Sequence, residues 1–294
     1  MKRIQTIVFI SICLVIISFS ASAKKEEVKL FLFKGESYTY LISQENSVEA
    51  TEASAGMHQK VALKIQHTVV NHLPTGVYQM EAAFTGFSTK FDSQGRKYSY
   101  NSDTVDVRNK MYKVLEFMTH VKLTYEVSPE GVVSNIKGFE VVKNRMDIDP
   151  FLKSILWSFG NTQFLVDFYN YFPLSRVGVG DKWTNSSVIP EMKNYQYDIH
   201  HTFKSETEKE IRLAHEASFK YSTDIAENDS TVNHVTQTIS QQGSISISQS
   251  NKMPVSSDMI QKIQLSASQD KPSATKQIAP VTMVTKTQIT RVKK

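Results

Sequence analysis

Apolar and polar residues alternate along most of the chain, and a period of two predicts β-strands. On a strand at residues 61–69, Val61, Leu63 and Ile65 would lie on one face and the residues between them on the other. The pattern also marks residues 28–33, 36–44 and 77–87, and it returns from residue 177 to the C-terminus. Runs of about ten residues extend about 33 Å, so we expect a wide, curved sheet or an open barrel.

Two shorter segments depart from simple alternation. Tyr125–Val133 is typical of a β-hairpin, because Pro129 and Gly131 separate two arms rich in β-forming residues. Residues 106–118 carry apolar side chains at helical spacing instead, which predicts a short amphipathic helix before the hairpin.

The middle of the chain has a helical rather than a strand-like period. Leu152, Leu156 and Phe159, followed by Phe164 and Phe168, recur at helical spacing, and Pro173 ends the pattern. The predicted fold is therefore mainly β, with long curved antiparallel strands in two similar meanders and a helical insert between them. The meanders form either an open half-barrel or paired sheets. The predicted divisions are a signal peptide at 1–23, a first β-meander at 24–138, an aromatic-rich helical insert at 139–173 and a second β-meander at 174–294.

A short motif occurs once in each predicted meander. Gly35–Thr39 and Gly180–Thr184 share the order glycine, acid, any residue, aromatic, threonine. Downstream, Gln66–Val69 parallels His200–Phe203. The echo predicts two consecutive meanders of similar plan. Because each alone would leave an apolar face exposed, we expect them to share one core.

The first 23 residues predict export. Lys2 and Arg3 precede an uncharged apolar run at residues 7–19, and small residues at 21–23 suit cleavage by a signal peptidase. About 13 apolar residues are fewer than the roughly 20 that span a bilayer as a helix; the alternative is an uncleaved membrane anchor. We expect a periplasmic, extracellular or outer-surface protein with no transmembrane segment in the mature chain.

The single cysteine, Cys13, does not predict a lipoprotein. Lipidation needs a small residue before the cysteine at the end of the apolar run, whereas Ile12 precedes Cys13 and the run continues to Phe19. The mature chain would then contain no cysteine and no disulfide. Removal of Lys2 and Arg3 also leaves 32 basic and 29 acidic residues, a net charge too small to predict a nucleic-acid partner.

Several motifs together resemble a known family. Lys34–Tyr40, Val132–Gly138 and the segment from Phe172-Pro173 to Val179–Trp183 are similar to those of a domain of unknown function in secreted and lipoprotein-like proteins of Bacteroidota. The family has no assigned activity. The resemblance therefore implies a periplasmic or outer-surface setting and no particular chemistry.

Motifs for catalysis and metal binding are largely missing from the sequence. There is no Gly-x-Ser-x-Gly, and Ser273–Lys276 matches Ser-x-x-Lys only within a polar loop, after Pro272. Neighbours on a strand face opposite sides, so His200 and His201 are not expected to chelate one ion. His67 and His201 are interpreted as strand residues whose rings are hydrogen-bonded. We therefore predict no catalytic residues, no metal and no cofactor.

The insert is the strongest candidate for a functional site, because residues 151–172 contain eight aromatic residues. Its aromatic side chains either plug the sheet and form the core, or line a cavity for a lipid or another apolar ligand. The predicted ligand-binding residues are Trp157, Phe159, Phe164, Phe168 and Phe172. The favoured function is a non-enzymatic envelope protein that binds an apolar ligand. The alternatives are a structural or partner-binding envelope protein, with a self-filled core, and an enzyme whose residues come from distant strands.

Overall fold

The structure is a computed structural model, and the described residues form twelve β-strands, two α-helices and a short 3-10 helix. The described ranges are 25–49, 56–93, 96–104, 115–148, 152–153, 162–189, 195–228, 231–271 and 274–292. The strands are β1 Ser37–Val48, β2 Met57–His72, β3 Tyr78–Ser93, β4 Arg96–Asn101, β5 Lys122–Val127, β6 Val133–Lys137, β7 Lys182–Ile189, β8 Tyr195–Glu206, β9 Glu210–Asn228, β10 Thr231–Ser248, β11 Pro254–Lys271 and β12 Ala274–Val292. The helices are α1 Glu140–Ile148 and α2 Gln163–Tyr169, and Glu116–His120 is the 3-10 helix.

Some predicted features lie outside these ranges. The predicted signal peptide at 1–23, Trp157 and Phe159 all fall on residues that the structure does not describe. Of the amphipathic helix predicted at 106–118, residues 106–114 also lie outside; its described end is the 3-10 helix Glu116–His120.

All the strands belong to one open antiparallel sheet. The order across the sheet is β6-β5-β3-β2-β1-β12-β11-β10-β9-β8-β7, and β4 pairs with the distal half of β3. The two meanders join where β1 pairs with β12, with Ile42 opposite Ile289. The mainly antiparallel fold is confirmed, and of the two predicted arrangements the single open sheet is the one observed. The strands reach 19 residues in β9 and β12.

One face of this sheet, the inner face, carries the core. Tyr40 and Ile42 of β1 are buried, and they lie opposite Ile65 and Leu63 of β2. The same alternation continues into the second meander, where Leu213 of β9 is also buried. Side chains between these positions are mostly Ser, Thr, Gln and Lys and are exposed or half-buried. The alternation along the sequence therefore decides which face becomes the core.

The segment at residues 28–33 is not a strand, so its strand prediction was wrong. Its alternation is nevertheless real, because Val28, Leu30 and Leu32 are buried. The Leu30 amide donates to the carbonyl of Pro129 at 2.8 Å, and the Phe31 amide donates to that of Asn251 at 3.3 Å. These carbonyls belong to two different hairpin turns. The segment thus crosses strand ends, where no neighbouring strand is available to form a ladder.

The repeated motif builds the same turn twice. Gly35 and Gly180 have φ values of +88° and +94°, in the left-handed region that glycine adopts without strain. The Gly35 amide donates to the carbonyl of Val69 at 2.8 Å, and the Gly180 amide donates to that of Phe203 at the same distance. The acid after each glycine accepts from an upstream amide: Glu36 from Phe33 and Asp181 from Gly178.

The aromatic residue of each motif then lies opposite a histidine. Tyr38 of β1 pairs with His67 of β2, and Trp183 of β7 pairs with His201 of β8. The motif repeated in the sequence therefore forms the same turn before β1 and β7, and it sets the same register between the first two strands of each meander. It places one buried histidine in each meander, on the inner face.

The described helix α2 of the insert contacts both edges of the sheet. The edge strands β6 and β7 are consecutive in the sequence, so the chain between them must pass from one edge to the other, and α2 contacts both. Leu165, Phe168 and Tyr169 of α2 are buried against the core. None of the helices in the described ranges is long and apolar enough to cross a membrane.

Candidate functional site

A cavity of about 320 Å³ lies between α2 and the inner face of the second meander. On the sheet side, its wall contains seven isoleucines from six strands, together with Met259. These isoleucines are Ile42, Ile189, Ile199, Ile239, Ile245, Ile263 and Ile289. Phe164 and Phe168 of α2 line the opposite side. The volume is at the lower end of the roughly 300–1,000 Å³ that ligand sites occupy.

The cavity exists because α2 fills only the first-meander side of the inner face. Phe168 stacks on His67 with ring centroids 4.8 Å apart and meets Tyr40 edge-on at 5.0 Å. On the other side, β11 and β12 present Ser257 and Thr287 at inward positions. These short side chains leave more space at the cavity wall than the longer inward residues of the same strands, such as Met259 and Ile289.

His67 belongs to the filled side and has a structural environment. Its Nδ1 lies 2.7 Å from the hydroxyl of Tyr125, which lies 2.9 Å from the hydroxyl of Tyr169 on α2. The prediction of a hydrogen-bonded strand histidine is confirmed here. Complete burial lowers the pKa of His67 to about 3, so the ring is neutral at physiological pH.

His201 and His215 form a second pair of buried rings, and both line the cavity. They are direct cross-strand neighbours on β8 and β9, with ring centroids 6.3 Å apart. The indole of Trp183 stacks on His201 at 5.4 Å. Within the described part of the chain, neither nitrogen of either ring has a hydrogen-bond partner. The prediction that the His201 ring is hydrogen-bonded was therefore wrong.

Burial keeps both rings uncharged. Burial lowers the pKa of His201 to about 3, and the neighbouring His215 lowers it further. The backbone carbonyl of Asn170 lies near the ring and acts to raise this pKa, although the contact does not have hydrogen-bond geometry. Burial likewise lowers the pKa of His215 to about 4. Each neutral imidazole offers one N–H donor and one nitrogen acceptor.

A small polar cluster borders the cavity beside α2. The hydroxyl of Ser187 donates to Asp167 Oδ1 at 2.7 Å, and the amide of Gln163 donates to the same oxygen at 2.9 Å. Asp167 lines the cavity, and although part of its side chain is exposed, burial of the carboxyl group raises its pKa against the lowering effect of these two hydrogen bonds. Burial and the neighbouring Asp167 together raise the pKa of Tyr197 to about 12.

The structure separates the five predicted ligand-binding residues. Phe164 and Phe168 line the cavity, while Trp157 and Phe159 lie outside the described residues. Phe172 is buried but does not line the cavity, which corrects the prediction for it. Its ring packs on Tyr171 at 4.3 Å and against the β5–β6 turn, where a Cβ added at Gly131 would lie 2.3 Å from Phe172 Cδ2.

Sequence reasoning missed most of the polar residues of the cavity, including Gln44, His215 and Thr287. The available signal was the position of these residues in the inward–outward alternation of their strands. His215, for example, occupies an inward position between Leu213 and Ala217 of β9. A polar residue at an inward position of an apolar stripe needs a partner. Only the strand register shows that His215 and His201 are neighbours.

A larger depression, of about 590 Å³, lies mainly on the outer face. Its charged side chains alternate in sign, with Glu45, Glu216 and Asp258 set among Lys60 and Lys286. Such a surface is typical of a solvated sheet face. The inner cavity combines apolar walls with buried polar atoms, and we therefore take it as the candidate site. Among the residues that the structure describes, no three His, Cys, Asp or Glu side chains are grouped to hold a metal ion.

Comparison with protein families gives a direct assignment. Residues 75–254 match the model of a family of unknown function, DUF6263, over more than half of the chain. The chain belongs to the DUF6263 family. The matched residues include β3, the insert and β7–β10. A comparison with curated proteins finds no match.

Among solved structures, this DUF6263 protein is similar to lipovitellin, in a structure concerned with its lipid–protein interactions. The TM-score is 0.53 at 10% sequence identity, and the match covers 90% of this chain and 26% of the lipovitellin chain. The chain thus corresponds to about a quarter of that protein. At this identity the likeness concerns the fold.

Proposed function

We propose that this DUF6263 protein is an exported, non-enzymatic protein that binds an apolar ligand, such as a lipid, in the inner-face cavity. The observation that carries the proposal is the cavity of about 320 Å³ between α2 and the wall of isoleucines. The apolar side chains of this wall face an open pocket, and an apolar ligand would be stabilised by burying its own surface against them.

The likeness to lipovitellin supports the proposal at the level of fold. An open sheet with one apolar face is an arrangement that can hold an apolar ligand against that face, and here α2 covers part of it. Export is supported by the charged start, apolar run and small residues at positions 1–23. We propose a bacterial periplasmic or outer-surface setting on the same grounds.

The hydrogen bonds around the cavity favour binding over catalysis. The Asp167 carboxylate accepts from Ser187 and Gln163, not from His201 or His215. A histidine general base normally has its ring oriented by a second hydrogen-bonding group. The histidine pair has no such partner among the described residues.

A substitution that fills the cavity should abolish binding. Ser257 faces the cavity from β11, so Ser257→Phe would place an aromatic ring in the ligand's space. We expect the neutral fluorophore N-phenyl-1-naphthylamine to bind the wild-type protein, and its affinity to fall by about tenfold or more in Ser257→Phe. Fluorescence titration measures both affinities.

The matched control is Ser256→Phe, one residue earlier and on the outer face. It adds the same apolar ring without entering the cavity, so the fluorophore should bind it as it binds the wild type. Equal loss in both variants, or no binding to the wild type, would contradict the proposal. The second result would favour the alternative of a structural or partner-binding protein, for which the dense packing of Phe168 on Tyr40 and His67 is the supporting observation.

A further inference from the structure

We propose that the cavity selects a neutral amphiphile, an apolar chain that ends in a hydroxyl group, and that the His201–His215 pair binds this hydroxyl. The inference rests on the proposed function and specifies the chemistry of the ligand. It starts from polar side chains in the cavity wall whose nitrogen and oxygen atoms are buried without a hydrogen-bond partner in the described part of the chain.

These atoms form two cross-strand pairs on the inner face, Gln44 with Thr287 and His215 with His201, and strands β11 and β10 lie between the two pairs. In the described part of the chain, both nitrogens of His201 and His215, the Thr287 hydroxyl and the Gln44 carbonyl oxygen have no hydrogen-bond partner. His201 and His215 are only 2% and 6% exposed. A buried polar atom without a partner is costly, so this wall is incomplete until a ligand or water supplies hydrogen bonds.

The fold holds the two rings in fixed positions. Trp183 stacks on His201, and the backbone of β10 passes close to His215 at Gly243. A Cβ at position 243 would lie 2.6 Å from His215 Nε2, so the absence of a side chain there makes room for the ring. The pair is therefore a preorganised element of the cavity wall.

The charges at the cavity favour a neutral head group over an anion. No lysine or arginine is present among the described residues that line it, and the one carboxylate, Asp167, would repel an anion. A carboxylate or phosphate buried without a cation is strongly disfavoured. A cation is no better matched, because Asp167 already accepts hydrogen bonds from Ser187 and Gln163.

A ligand hydroxyl group suits the histidine pair because a hydroxyl can both donate and accept a hydrogen bond. Two neutral imidazoles on neighbouring strands present N–H donors and nitrogen acceptors side by side. The alkyl chain of the ligand would then lie along the isoleucines. Ordered water at the histidines is the competing arrangement.

The test uses three probes with the same chain length: octan-1-ol, n-octane and octanoate at pH 7.5. Each competes with N-phenyl-1-naphthylamine in the fluorescence titration of the full mature chain. We expect octan-1-ol to bind at least tenfold more tightly than octanoate. The ratio of the octane Kd to the octanol Kd should fall about tenfold in His201→Leu, because only the alcohol loses a hydrogen bond.

The control is His200→Leu, the same change at the adjacent residue, which is exposed on the outer face. It should leave the ratio unchanged. His215→Leu, which removes the other ring of the pair, provides a second variant and should lower the ratio in the same direction.

The outcomes separate the two proposals. If the fluorophore itself does not bind, so that the probes have nothing to displace, the proposed function fails. If octane and octanol both bind and His201→Leu leaves their ratio unchanged, water satisfies the histidines and the inference is overturned while the function stands. Tightest binding by octanoate would also overturn the inference, in favour of an anionic ligand.

Discussion

Lowering the pH from 7 to 5 is expected to reduce the free energy of unfolding by about 5 kcal/mol. His67, His201 and His215 are buried with folded-state pKa values of about 3, 3 and 4, below the ordinary 6.5. The unfolded chain therefore binds more protons than the folded one between these values. The stability is fully present above pH 6.5 and is lost as the pH falls towards 4, at up to about 1.4 kcal/mol per pH unit for each histidine.

Urea unfolding at pH 7.5, 6.0 and 5.0 measures this slope. Asp167 acts in the opposite direction, because its raised pKa favours the folded state as the pH falls, but one carboxyl group does not outweigh three histidines. His215→Leu should remove about one third of the slope. An unfolding free energy that is constant between pH 7.5 and 5.0 would contradict the buried, neutral state of these rings.

Gly131→Ala is expected to destabilise the protein by about 3 kcal/mol or more. Gly131 has φ of +79°, where alanine costs about 1–2 kcal/mol. Its Cβ would also lie 2.3 Å from Phe172 Cδ2 and 2.7 Å from the carbonyl oxygen of Tyr169. Overpacking of this kind adds about 1–3 kcal/mol, because the β5–β6 turn would have to move away from the insert.

Gly76→Ala in the β2–β3 turn is the matched control. Gly76 has φ of +85°, but the nearest atom to an added Cβ is Pro129 Cγ at 4.0 Å. The control therefore has the backbone cost without the steric clash. The free energies of unfolding of the two variants, measured by urea titration, should differ by the packing contribution, about 2 kcal/mol. Equal destabilisation would show that the β5–β6 turn does not pack on the insert.

Local features of this fold could be predicted because short-range physics determines them. Alternation identified the inward residues Leu63 and Ile65, and Pro129 and Gly131 marked the β5–β6 hairpin. The glycine motif at Gly35 and Gly180 indicated two meanders of similar plan, because the same turn geometry needs the same residues. In each case a few consecutive residues carry the signal.

Features that depend on distant parts of the chain were not accessible in this way. The pairing of β1 with β12, with Ile42 opposite Ile289, joins residues that are almost the whole chain apart. Residues 28–33 have the alternation of a strand, but whether a ladder forms depends on where the neighbouring strands end.

The candidate site could be predicted only in part for the same reason. A count of aromatic residues pointed to the insert, and Phe164 and Phe168 do line the cavity. Phe172 has the same chemistry but packs on the Gly131 turn. The cavity lies on the part of the inner face that α2 does not fill, and its wall brings together isoleucines from six strands and residues of α2. Its histidine pair results from the register of β8 and β9.

Co-crystallisation with 1-bromooctane tests the central claim most directly, since the anomalous signal of bromine locates the alkyl chain without assumptions about its pose. The account predicts bromine between α2 and the isoleucine wall, within contact distance of Phe168, Ile239 or Met259. It further predicts that the peak is lost in crystals of Ser257→Phe. A cavity filled by the protein's own side chains, with no bromine on the inner face, would contradict the account.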